Sequence, residues 1–172
     1  MVLVLQEFTS PTNTLVTADT AAAPGTLPTP AVPTLPSLIS PLVDDSSAYI
    51  WSPNTAPNQT VTFVSTFDIG TLPILTLSLP VTAYFAYAAN EIATVTATLE
   101  ILGLTGEVLA TFPLFTDSNA ADPQDVATAS GDALIAVGLL GNNARIIITA
   151  NVTSTTDQGR YLGQLTVRNI LL

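Results

Sequence analysis

The chain has 172 residues, enough for one domain around a single apolar core. Three Lys+Arg against thirteen Asp+Glu give a net charge of -10, which repels phosphate backbones and anionic bilayers, so neither nucleic acid nor membrane is an expected partner. There is no His, Cys or Lys, which removes the commonest general base, the thiol and amine nucleophiles and the usual transition-metal ligands, and no enzyme is expected.

The opening MVLVLQEF has an apolar run but no basic flank, and it does not resemble a secretory signal peptide. Seven of the thirteen prolines then fall before residue 43, and residues 24–41 (PGTLPTPAVPTLPSLISP) read as extended polyproline-like chain, not helix or central strand. Its apolar residues set it apart from a solvated linker. Residues 1–42 therefore read as an arm for homo-oligomer or polymer assembly, with Val2, Leu3, Val4, Leu5 and Phe8 as a strand for a neighbour's sheet edge, followed by Leu27, Val32, Leu35, Leu38 and Ile39 along its surface. At ~3.1 Å per residue the proline-rich stretch spans roughly 55 Å, beyond the ~35 Å width of a body of this size.

Residues 43–172 read as an antiparallel β-sandwich or jelly roll of about eight strands. In residues 61–69 Val61, Phe63, Phe67 and Ile69 share one face and Thr62, Thr66 and Asp68 the other, with Val64 the exception. Residues 93–101 alternate without a break: Val95, Ala97, Leu99 and Ile101 point inward, Thr94, Thr96, Thr98 and Glu100 outward. Further strands are expected at 75–79, 81–87, 107–112, 146–152 and 161–170, separated by turns at Gly70, 103–106, 141–143 and 157–159. The run DALIAVGLL from Asp132 fits a buried strand or a helical turn, and residues 18–23 a brief helix or extended chain. No helix beyond two turns is expected.

Chemistry is left to the carboxylates. Asp117, Asn119, Asp122 and Asp125 crowd one segment with hard oxygen donors, the set that calcium takes, although the spacing lacks the glycine and closing glutamate of an EF-hand; an acidic surface loop is the plainer reading. Glu100, set among outward threonines, reads as a solvated face, not half of a glycosidase pair. Trp51, with Tyr49, is placed either as a core plug or as a platform for sugar stacking.

From residue 49 to 167 the order Tyr49-Ile50-Trp51, Val61-Thr62-Phe63, Thr66-Phe67-Asp68-Ile69, Phe85-Ala86-Tyr87-Ala88-Ala89-Asn90 and Ala93-Thr94-Val95 resembles the galactose-binding-like jelly rolls appended to many glycoside hydrolases. Leu139-Leu140-Gly141-Asn142-Asn143 and Gly163-Gln164-Leu165-Thr166-Val167 are similar to that family's closing strands. The resemblance implies a jelly-roll fold and carbohydrate as an alternative partner. Charged residues make up only 9% of the chain, which leaves a large uncharged surface and favours a structural subunit that assembles through its arm. A carbohydrate-binding module and a phage or virus capsid-associated protein are the rivals. The expected setting is extracellular, or the surface of a cell, spore or virion, reached without a classical signal peptide.

Overall fold

The computed structural model describes residues 2–34, 49–120 and 126–169, and the period of two in the sequence becomes a sandwich of two antiparallel sheets. The strands in chain order are β1 (Val2–Phe8), β2 (Thr14–Asp19), β3 (Thr29–Pro30), β4 (Val32–Thr34), β5 (Tyr49–Trp51), β6 (Gln59–Thr71), β7 (Leu79–Ala89), β8 (Ala93–Leu102), β9 (Val108–Ser118), β10 (Ala127–Ile135), β11 (Asn143–Ser154) and β12 (Tyr161–Asn169). Among the described residues the helical content is one 3-10 turn, Val137–Leu139.

One sheet runs β10-β7-β12-β5-β4, and the other β3-β2-β6-β11-β8-β9. Without the first four strands, the orders β10-β7-β12-β5 and β6-β11-β8-β9 are those of two interlocked Greek keys: successive strands alternate between sheets except at the β8–β9 hairpin, and β12 returns beside β5. This is a jelly roll. Eight strands lie between Tyr49 and Asn169, within the region read as the sandwich.

The N-terminal segment, read as an arm that needs a sheet edge, lies on edges of its own chain over the described residues. β1 pairs antiparallel with β12, Val2 opposite Asn169 and Phe8 opposite Gln164, and shares that edge of β12 with the short β5. β2 pairs with β6 and so joins the opposite sheet. Val4, Leu5 and Leu27 pack against the main core, while Phe8 packs on a small cluster of Tyr49, Ala88 and Leu162. The physical reason is apolar supply: these side chains find cover on their own chain's sheet edges, where the ladder also satisfies their backbone. Pro30 and Pro33 sit in the short edge strands β3 and β4, the place where a missing N–H interrupts no second ladder. Leu35, Leu38 and Ile39, and the boundary near residue 43, lie outside the described residues.

The inward residues follow the sequence pattern closely. β8 alternates throughout, with Val95, Ala97, Leu99 and Ile101 in the core. In β6, Val61, Phe63, Ser65 and Phe67 are buried, and the outward Val64 is flanked by Leu15 of β2. Aromatic rings link the sheets: Trp51 lies 5.7 Å from Phe63, which stacks at 5.3 Å on Tyr161. Residues 75–79 are not the expected strand; this stretch, between Pro73 and Pro80, crosses from one sheet to the other and pairs only from Leu79 onward. The ambiguous run from Asp132 divides, with β10 ending at Ile135 before the 3-10 turn.

The two sheets approach closely where β10 passes β9. A Cβ on Gly131 would stand 1.9 Å from the Leu114 carbonyl oxygen, so only glycine fits there.

Candidate functional site

Among the described residues, the connections that join β5 to β12 in succession gather at two ends of the sandwich, and the ends differ in chemistry. At one, the 72–78 crossover brings Ile74 and Leu77, the β8–β9 turn brings Leu104 and Val108, and the close of β10 brings Leu134 and Val137. Ile74 is 86% exposed and Leu104 fully so. The end is also well ordered by hydrogen bonds, since the Leu72 N–H donates to the Asn142 carbonyl at 2.9 Å, the Leu72 carbonyl accepts from the Gly141 N–H at 3.0 Å and the Thr71 hydroxyl donates to Asn143 Oδ1 at 2.7 Å. These loops therefore hold apolar side chains outward on a fixed frame. Arg145 and Glu100, paired at 2.8 Å, lie just behind, with Asp68 in register with Arg145.

The opposite end is polar. Asp19, at the close of β2, accepts from Ser52 Oγ at 2.5 Å, Gln59 Nε2 at 2.7 Å, Asn54 Nδ2 at 3.1 Å and the Ala21 N–H at 2.7 Å. Burial pushes its carboxyl up, but these hydrogen bonds together outweigh it and hold the group below its ordinary value. Gln59 Oε1 in turn accepts from the Trp51 indole N–H at 3.0 Å, so one network ties β2, the 52–58 loop and the core tryptophan together. Beside it, Glu91 accepts from the Thr155 hydroxyl and N–H.

The acidic segment is only partly in view. Asp117 Oδ2 accepts from the Tyr87 hydroxyl at 2.9 Å, and burial followed by that carboxylate drives the Tyr87 phenol well above its ordinary value. Asn119 is buried, its oxygen accepting from the Ala93 N–H at 2.6 Å and its nitrogen donating to the Glu91 carbonyl at 2.9 Å. Its amide thus staples β9 to the β7–β8 connection. Asp122 and Asp125 lie outside the described residues, and among the described residues no three acidic groups converge.

Trp51 and Tyr49, read as a possible sugar platform, are each 1% exposed and belong to the interior. The reason is the position of β5 in the sheet, where Trp51 packs on Phe63 and Tyr49 lies under Phe8. Trp51 still forms part of a concavity of about 490 Å³ with Val32, Ser52, Pro53, Thr55 and Gln158, but offers it almost no surface.

A second concavity, about 430 Å³, lies on the outward face of the β10-β7-β12 sheet. Register places Thr128, Ala86 and Gln164 in one cross-strand row and Ser130, Tyr84 and Thr166 in the next. Ala86 leaves a dip between its longer neighbours, and Tyr84, 42% exposed, stands beside it as a wall. Neither the composition nor the motifs of the sequence picked out this face; the outward position of Tyr84 in an alternating strand was the available signal.

No protein-family model and no curated protein matches the chain. Among solved structures it is similar to the enzymatically active domain of tailspike protein 4 of bacteriophage CBA120, with 13% identity and a TM-score of 0.46 over 94% of this chain and 20% of that one. It is also similar to the VP2 protein of infectious bursal disease virus, with 13% identity and a TM-score of 0.44 over 82% of this chain and 36% of that one. A third is the CBM22-1 xylan-binding domain of Paenibacillus barcinonensis Xyn10C, with 10% identity and a TM-score of 0.44 over 99% and 96%. The chain spans only a fifth to about a third of the two viral proteins' lengths.

Proposed function

We propose that this jelly roll is a non-enzymatic structural subunit that associates with further copies of itself through the apolar end of the sandwich. One observation carries the reading: among the described residues, six of the eleven exposed large apolar side chains gather at that end, Ile74, Leu77, Leu104 and Val137 from three separate connections and Val108 and Leu134 from the adjoining strand ends. Convergence of apolar groups on a hydrogen-bonded frame is what an interface core needs. A second copy suits it because joining the apolar ends covers these groups on both copies and, for a chain of net charge -10, keeps Asp19, Glu91 and Asp117 of each far from the other, leaving Glu107 of the β8–β9 turn as a carboxylate beside the contact. With β1 and β2 already seated on their own chain, the contact is assigned to the loops and not to an exchanged arm.

Sedimentation velocity on the intact chain and on an Ile74→Ser/Leu104→Ser/Leu134→Ser variant tests this. The intact chain should form oligomers whose weight rises with concentration and with salt, since screening weakens the like-charge repulsion and leaves apolar contact intact. The variant should be a folded monomer. A monomeric intact chain at high concentration sinks the proposal, and undiminished assembly by the variant places the interface elsewhere.

A further inference from the structure

The outward trough on the β10-β7-β12 sheet has a composition at odds with the rest of the surface. Thirteen acidic residues are spread over this chain, yet the residues lining the trough are Tyr84, Phe85, Ala86, Thr128, Ala129, Ser130, Gln164 and Thr166, without one charge. Its four polar side chains, from Thr128, Ser130, Gln164 and Thr166, make no hydrogen bond within the described chain, although hydroxyls elsewhere on the surface commonly bond to neighbours, as in Ser10 with Thr12 and Thr105 with Glu107. Three aliphatic hydroxyls and one amide, besides the Tyr84 phenol, are thus available around a floor of Ala86.

The aromatic wall is held in place. Arg168, which stands opposite Thr82 in the ladder, carries its guanidinium 5.8 Å from the centre of the Tyr84 ring. Thr82 lies on one side of Tyr84 along β7 and Ala86 on the other, so the cation steadies the ring from the side away from the trough. The ring is left beside a dip whose remaining lining is neutral donors and acceptors. An apolar ring face set among uncharged hydroxyl and amide groups complements one ligand chemistry above others, a neutral sugar, whose C–H face packs on the ring while its hydroxyls exchange bonds with the rim. The volume of about 430 Å³ is in the range of small-molecule sites, which begins at roughly 300 Å³.

We infer that this trough is a binding site for a neutral oligosaccharide, with Tyr84 as stacking platform and Gln164, Thr128 and Thr166 as its polar contacts. It stands on a sheet face, apart from the apolar end, and its occupancy is independent of the assembly proposed above. The side chains point outward, so substitution leaves the core intact.

The test is NMR titration of the intact chain with cellohexaose, xylohexaose and maltohexaose, and with oligogalacturonate as an acidic counterpart, following the Tyr84 ring and the Gln164 side-chain amide. At least one neutral hexaose should shift both signals. Tyr84→Phe should bind within about threefold of the parent, Tyr84→Ala at least tenfold more weakly, and Gln164→Ala should fall between them. No shift with any neutral probe at millimolar concentration overturns the inference. So does binding that survives Tyr84→Ala, or a response to the acidic probe alone.

Discussion

The two ends of the sandwich are built from the same strands yet solve opposite problems. At the polar end a network of side chains is bonded: Asp19 to four donors, Gln59 to Asp19 and Trp51, Asn119 to the backbone on both sides. At the apolar end the backbone is tied, but the side chains of Ile74, Leu77 and Leu104 touch little of their own chain. The difference teaches where stability and association reside. Burial and hydrogen bonding at the polar end contribute to folding, whereas exposed apolar groups contribute nothing to a monomer and become favourable only when another surface covers them.

Removing residues 1–34 should have the largest effect, because β1 and β2 run between the ends and supply one strand to each sheet. The loss uncovers the edges of β12 and β6, and thermal unfolding should show a chain that is largely unfolded or aggregated. A truncated protein with an unchanged melting curve would mean that the comparison omits the wrong strands.

Next is Asn119→Ala, which leaves the Ala93 N–H and Glu91 carbonyl without their partner and should lower stability by about 2–3 kcal/mol in urea unfolding. Leu104→Ala at the other end is its control.

Asp19→Asn should cost about 1–2 kcal/mol at neutral pH by weakening charge-assisted hydrogen bonds. The parent should also depend on pH in a defined direction. Because the folded carboxyl is held below its ordinary value, its stabilisation is complete above about pH 4 and is lost as pH falls through the folded pKa. Urea midpoints between pH 2 and 7 should converge for parent and variant at the acid limit.

Tyr161→Phe should stabilise by about 1 kcal/mol, since the Tyr161 hydroxyl is fully buried with no hydrogen-bond partner among the described residues. A loss of stability would reveal a bond to a buried water.

Smallest of all, Leu104→Ser and Ile74→Ser should each change unfolding free energy by no more than about 0.5 kcal/mol while reducing self-association. A large stability loss there would erase the contrast between the ends.

The strands were legible wherever a period of two ran unbroken, as in 93–101, because one face of a sandwich strand is buried and one is wet. Residues 75–79 share the same alternation but only cross between sheets, and no local pattern separates a crossover from a strand. Val2–Phe8 read correctly as a strand in search of an edge, but the edge proved to be that of β12, more than 150 residues along the chain. Trp51 and Tyr49 drew attention as rare aromatic residues, and burial under Phe63 and Phe8 withdraws them from ligands. Tyr84 lay unremarked in a strand until its neighbours on β10 and β12 were known.

Composition and periodicity by themselves determined an all-β sandwich with an acidic, sparsely charged surface, since both follow from residue type and from nearest neighbours in sequence. Which edge β1 occupies, which loops meet at the apolar end and which side chains ring Tyr84 depend on contacts between residues far apart in the chain. Those pairings are set by the packing of the two sheets as a whole, where register and crossing decide what each outward residue faces. A single strand carries no information about the strand that will lie beside it.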